Sequence, residues 1–195
     1  MDVNFLFECL ASEVRRGARF GAGQTVQVGW MILMFKANRQ GGLELWEPDF
    51  QSMPIEWVFS LNRTMWHIFK QKEACAQICA EADFPSLLQS GFASQAFLSG
   101  LEFSMSREST NDADSGWLFA KYDDQSVESK YCSLYEIAVN NPRVIPFLAL
   151  LTDSVVQSSS NGLEVRIGSG AIDSCGSDFL RRLDASWLSG GDEVV

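Results

Sequence analysis

Around Pro85 the amino-acid pattern changes character, and this break limits what the chain can fold into. Upstream, apolar residues recur at helical spacing in two stretches. Phe5, Leu6, Cys9, Leu10 and Val14 share one face of a helix over residues 5–16, with Asn4 placed to cap it. Met65, Phe69, Ala76 and Cys79 keep near-helical spacing over residues 62–81. Between them, residues 26–36 are rich in Val, Ile, Phe and Trp and read as one largely buried strand, and residues 43–46 read as a second strand ended by Pro48. Downstream, strands dominate: residues 93–105 with a bend at Gly100, residues 116–122, and residues 152–157 and 163–167 around a hairpin signalled by Asn161-Gly162. Ser133 and Glu136 form a capping box that opens a short helix, and Pro142 stops it by Asn141. Residues 178–188 suit a terminal helix. The expectation is an α+β fold of two small packed modules, residues 1–87 and 88–195, each a mixed or antiparallel sheet with flanking helices. Fourteen Phe and six Trp supply ample core material.

Charge divides along the same line. Residues 1–85 hold 8 basic and 10 acidic side chains, net −2, whereas residues 86–195 hold 7 and 15, net −8. The total of −10 argues against binding to nucleic acid or an anionic membrane, both of which call for a basic surface, and it favours a basic partner. The longest apolar runs, such as residues 28–35, are too short to span a bilayer. An acid follows Met1 where a secretory signal is basic, and the five cysteines are odd in number and scattered. Both features lead to the expectation of a cytoplasmic protein with reduced thiols.

Motifs for catalysis are sparse. His67 is the single histidine, which excludes His-rich metal sites, and its setting in Met65-Trp-His-Ile-Phe69 reads as helix packing. No nucleophile elbow, Walker loop or His-Glu-x-x-His is present, and Gly21-Ala-Gly23 and Gly168-Ser-Gly170 are too short for a dinucleotide fingerprint. His67, Cys75 and Cys79 share a helix face, but one straight helix cannot surround a zinc ion, which needs four ligands. No cofactor or metal is expected. The strongest constellation is acidic. Asp112, Asp114, Asp123, Asp124, Glu128 and Glu136 fall within 25 residues, opposed by Lys121 and Lys130. Three readings fit it: a carboxylate-based metal-dependent hydrolase, an acidic docking or scaffold surface, and a solvated loop rim. The spacing does not match an EF-hand loop. Interleaved aromatics (Trp117, Phe119, Tyr122, Tyr131, Tyr135) favour docking, because interface centres enrich aromatics rimmed by charge. Trp117 and Phe119 share one strand face and also suit a core.

Three blocks in order, Ser94-Gln-Ala-Phe-Leu-Ser-Gly-Leu-Glu-Phe-Ser-Met-Ser-Arg-Glu108, Asp114-Ser-Gly-Trp-Leu-Phe119 and Tyr135-Glu-Ile-Ala-Val-Asn-Asn-Pro-Arg-Val-Ile-Pro-Phe-Leu148, resemble the bacterial immunity-protein family numbered thirty-three in toxin–immunity nomenclature. The resemblance covers about residues 90–165, and Leu43-Glu-Leu-Trp-Glu-Pro-Asp49 is similar to an N-terminal extension of some members. Where the family often has a longer acidic stretch, this chain has Ala120-Lys-Tyr-Asp-Asp124. The resemblance implies a non-enzymatic antitoxin that binds a toxin delivered by type VI or similar secretion, commonly a nuclease. A basic DNA-cleaving cleft would meet an acidic surface, in a 1:1 complex with a monomer. The candidate toxin contacts are Asp112, Asp114, Asp123, Asp124 and Glu128, with Tyr122 and Tyr131 as anchors.

Overall fold

The computed structural model describes residues 3–99, 102–110, 114–122 and 129–188. The chain begins with α1 (Val3–Arg15) and then builds a four-stranded antiparallel sheet in sequence order, β1 (Thr25–Val28), β2 (Met31–Ala37), β3 (Leu43–Asp49) and β4 (Glu56–Val58). After α2 (Asn62–Gln77), a second sheet takes seven strands: β5 (Ser90–Ser94), β6 (Phe103–Arg107), β7 (Asp114–Lys121), β8 (Ser129–Ser133), β9 (Ser154–Ser159), β10 (Gly162–Ile167) and β11 (Gly170–Asp173). Its order is β11-β10-β9-β6-β7-β5-β8, with β5 parallel to β7 and the other pairs antiparallel. The α+β class expected from the sequence is the one observed. Helix α3 (Leu134–Asn140), a 3-10 segment (Pro142–Phe147) and α4 (Asp178–Leu188) complete the chain.

Local chemistry explains where elements begin and end. The single strand expected over residues 26–36 is a hairpin instead. Gly29 has φ +60°, and a Cβ there would meet the Ile68 side chain at 2.9 Å, so the chain turns at Gly29-Trp30. β3 runs through Pro48 to Asp49, because β4 is short and a missing N–H costs little at the sheet margin. The run 93–105 is split into β5 and β6 by a 3-10 turn at Phe97–Ser99. Helix α2 ends at Gln77 rather than Glu81, where Cys79 takes a left-handed conformation, φ +53°. Ser133 caps α3, its hydroxyl accepting the Glu136 N–H at 3.1 Å. Strand β8 and the terminal strands β4 and β11 escape the sequence pattern, since each is short and lacks a clean alternation.

One hydrophobic cluster spans both sheets. Trp30, Met31 and Phe50 from the first half join Phe97, Phe103, Trp117, Phe119, Ile137, Phe147 and Leu180 from the second. Helices α3 and α4 and the 3-10 segment cover the inner face of the seven-stranded sheet. Helix α2 is tied to that segment by Gln71 Nε2, which donates to the Ile145 carbonyl at 3.0 Å, and by the Cys75 thiol on Ala149 O at 3.3 Å. A smaller cluster of Leu6, Leu33, Phe35 and Leu45 seats α1 on the first sheet. Among the described residues no helix is long and apolar enough to cross a membrane.

Candidate binding face

With its helices gathered on one side, the seven-stranded sheet turns its other face outward. Alternation along each strand sends Phe103, Met105, Trp117, Phe119, Val156 and Leu163 inward, all buried. The residues between them point away. Cross-strand register then sets Arg166, Val155, Ser106, Leu118, Phe92 and Tyr131 in one row across six strands. Among the described residues no helix lies over this row. At its β8 end, Phe92 is 37% and Tyr131 68% exposed, and their rings pack at 5.1 Å. An exposed aromatic pair with Leu118 on the next strand is a flat, pre-ordered apolar surface of the kind interface centres use.

The expected site residues do not all gather here. Tyr131 lies in the row itself. Tyr122 is half-buried just past the end of β7, its N–H turned to the Glu102 carbonyl. Asp114 opens the same strand at its other end, beyond the bulge at Gly116 and at most about 26 Å from Tyr122 at roughly 3.3 Å per residue. Its Oδ1 accepts the Gly116 N–H at 3.0 Å, and its own carbonyl accepts the Thr110 hydroxyl at 2.8 Å, so Asp114 shapes a turn. That turn needs glycine. Gly116 has φ +78°, and a Cβ would lie 2.1 Å from the Glu108 carbonyl oxygen. Asp112, Asp123, Asp124 and Glu128 lie outside the described residues. The chain leaves β7 at Lys121 and enters β8 at Ser129, both at the Ser94 end of β5.

Of the remaining acids, Glu136 is already engaged. Lys130 Nζ sits 2.9 Å from Glu136 Oε1, and this hydrogen bond holds the Lys130 ammonium above its ordinary range. Glu164 and Arg166 pair at 3.1 Å on the outer face, with Arg166 also donating to Gln157 at 2.7 Å. Sequence reasoning missed Phe92, Leu118 and Val155. A signal existed in the alternation of Ser104 and Ser106 with Phe103, Met105 and Arg107, which marks a sheet with two unlike faces.

Asp114 also lines a polar cavity of about 250 Å³ with Asp83, Gln89, Glu108 and Thr110, floored by Arg107. The Arg107 guanidinium is engaged on every nitrogen. Nε donates to Ser115 O at 3.1 Å, Nη1 to Asp83 O at 2.9 Å and to Leu150 O, and Nη2 pairs with the Asp83 carboxylate at 3.2 Å. Burial pulls its pKa below the ordinary arginine value, and the Asp83 charge opposes that. This arginine holds three segments together, with four of its five N–H donors directed at Ser115, Asp83 and Leu150.

His67 is wholly buried between Trp30, Phe50 and Trp66, with ring centroids 5.0 to 5.5 Å away. Desolvation lowers its pKa to about 3, with Arg63 adding to the effect, so it stays neutral. Cys75 is buried, its thiol pushed up to about 11 chiefly by desolvation, whereas Cys79 is exposed beyond the helix. Among the described residues, no group of three or more His, Cys, Asp or Glu side chains is placed to hold a metal ion. No family model, curated protein or solved structure matches this chain.

Proposed function

We propose that this chain is an immunity protein, which binds a cognate secreted toxin and neutralises it by covering its active-site cleft. The partner is a basic nuclease, most simply a DNA-cleaving effector of a type VI secretion route, and the complex forms in the cytoplasm of the producing cell. The observation that carries this reading is the exposed aromatic pair, Phe92 and Tyr131, packed at 5.1 Å on β5 and β8 of the seven-stranded sheet. Asp123, Asp124 and Glu128 fall in the sequence between β7 and β8. The aromatics supply desolvated contact area, and the net charge of −8 in this half steers a cationic partner toward it.

The test is co-expression with the toxin encoded beside this gene, followed by binding kinetics on the purified pair. Tyr131→Ala and Phe92→Ala are expected to raise the dissociation rate by about tenfold or more each, since hot-spot truncations typically exceed 1.4 kcal/mol. Asp123→Lys with Asp124→Lys is expected to slow association and flatten its salt dependence. Unchanged kinetics and full protection in both variants would remove this face from the proposal, and failure of any neighbouring toxin to bind would remove the function.

A further inference from the structure

Helix α1 is held by few contacts. Leu6 is its one buried residue, while Phe5, Phe7 and Val14 are each about half exposed. Between α1, β1 and the middle of α2 lies a cavity of about 480 Å³, open to solvent along one side. Leu6, Leu10, Val26, Val28, Ile68 and Phe84 line it together with Ser12 and Gln27, and exposed Phe5 and Cys9 complete the lining. Gly29 keeps the floor open, since any Cβ there would press on Ile68. Three charged residues line the cavity: Glu13, Arg16 and Lys72. Glu13 is neutralised by Arg16, whose Nη1 lies 2.9 Å from its carboxylate. Lys72, exposed on α2, is the cation left over. In a chain of net charge −10, an apolar cavity with a surplus cation at its mouth is a local exception.

We propose that this cavity binds a straight-chain carboxylate of roughly ten carbons, a size suited to a cavity of this class. The alkyl chain lies on Val26, Val28 and Ile68 beneath α1, and the carboxylate meets the Lys72 ammonium. Chemistry sets the choice. Ser12 and Gln27 are the uncharged polar side chains on the lining, and Gln27 Nε2 is already spent on the Gly29 and Pro85 carbonyls at 2.9 and 3.4 Å. The rest of the lining away from the charged residues is apolar, so the interior takes hydrocarbon, and the surplus cation selects an anion over an alcohol or a quaternary ammonium. Ligand binding would fill the space that leaves Phe5 and Leu10 incompletely packed and so fasten α1 to the sheet.

Cys9 supplies an in-built reporter, with exposed Cys79 and Cys175 as internal controls. The probe is decanoate below its micellar concentration, and the readout is the alkylation rate at each cysteine by peptide mapping. Decanoate is expected to slow alkylation of Cys9 several-fold while Cys79 and Cys175 react as before, and amide exchange in α1 is expected to slow with it. Decanol and decyltrimethylammonium are expected to bind about tenfold more weakly or worse, and Lys72→Glu, at an exposed position, to cost decanoate about tenfold. Cys9→Trp, read by calorimetry, is expected to abolish binding by filling the mouth. Equal affinity for decanoate and decanol, protection of all three cysteines alike, or unchanged binding in Lys72→Glu overturns the proposal. Protection of Cys9 by anionic phospholipid vesicles but not by monomeric decanoate overturns it in favour of a membrane surface.

Discussion

Nη2 of Arg107 on β6 lies 3.2 Å from the carboxylate of Asp83, in the segment that joins α2 to the seven-stranded sheet. The same guanidinium reaches the backbone carbonyls of Asp83, Ser115 and Leu150. One side chain thus ties the first half of the chain to β7 and to the end of the 3-10 segment. Because Asp83 is 57% exposed, the charge pair itself is screened and contributes little. The three carbonyls, two of them in buried contacts, matter more. Arg107→Ala leaves them without a donor and is expected to lower stability by about 3 kcal/mol or more. Asp83→Asn keeps the carbonyl contacts and is expected to cost under about 1 kcal/mol. Urea denaturation of both variants checks the ranking, and equal losses would mean that the ion pair carries the junction.

Trp117 is fully buried at the centre of β7, with Nε1 donating to the Leu148 carbonyl at 3.0 Å and its ring packed at 6.1 Å from Phe119. Trp117→Ala is expected to destabilise the fold by about 3–5 kcal/mol. Trp117→Phe retains most of the volume but orphans the Leu148 carbonyl, so a loss of about 1–3 kcal/mol is expected. Thermal or chemical unfolding decides, and a loss near zero for Trp117→Ala would place the indole outside the core.

Glu47 is a buried carboxylate with a specific task. Helix α2 has Leu61 at its N-cap, which offers no side-chain acceptor. Glu47 reaches over from β3 instead, accepting the N–H of Thr64 at 2.8 Å, the N–H of Arg63 at 3.2 Å and the Thr64 hydroxyl at 2.8 Å. The negative charge also suits the positive end of the helix dipole. Glu47→Ala is expected to cost about 1–3 kcal/mol and to raise amide exchange in the first turn of α2 ahead of the rest of the helix. Uniform loss of protection across α2 would show a general packing defect rather than a lost cap.

These residues show why sequence reading reached some features and not others. The Ser133 cap was legible because both partners lie within three residues. The Glu47 cap was not, because its acceptor is supplied from 16 and 17 residues away by a strand whose position depends on the whole sheet. Trp117 and Phe119 were legible as sharing one face because strand alternation is local. That the opposite face carries Phe92 and Tyr131 side by side follows only from β5 pairing with β8, which no short-range pattern announces. The acidic residues looked like one cluster because they are close in sequence. Asp114 and Tyr122 lie at opposite ends of β7, with the bulge at Gly116 between them, so sequence proximity overstated their nearness in space.

His67 gives the fold a pH dependence whose sign follows from its burial. In the folded chain its pKa is lowered to about 3, mainly by desolvation, while in the unfolded chain it returns to its ordinary value of 6.5. Protons therefore bind the unfolded state more readily. The stability contributed by neutral His67 is complete above pH 6.5 and is lost as pH falls below it, levelling only near pH 3. Between pH 6.5 and pH 5 the loss is expected to reach about 1.7 kcal/mol, against a limit of about 2 kcal/mol for one proton per molecule. The His67→Phe variant isolates the contribution of this imidazole from that of the carboxylates. His67→Phe preserves the aromatic packing against Trp30 and Phe50 and removes the titrating group. Its unfolding free energy is expected to change far less between pH 6.5 and pH 5 than that of the parent chain. Parallel urea titrations at the two pH values settle the point. Equal slopes for parent and variant would mean that His67 is accessible to protons in the folded state, and that the interior around Trp30 and Phe50 is wetter than its burial indicates.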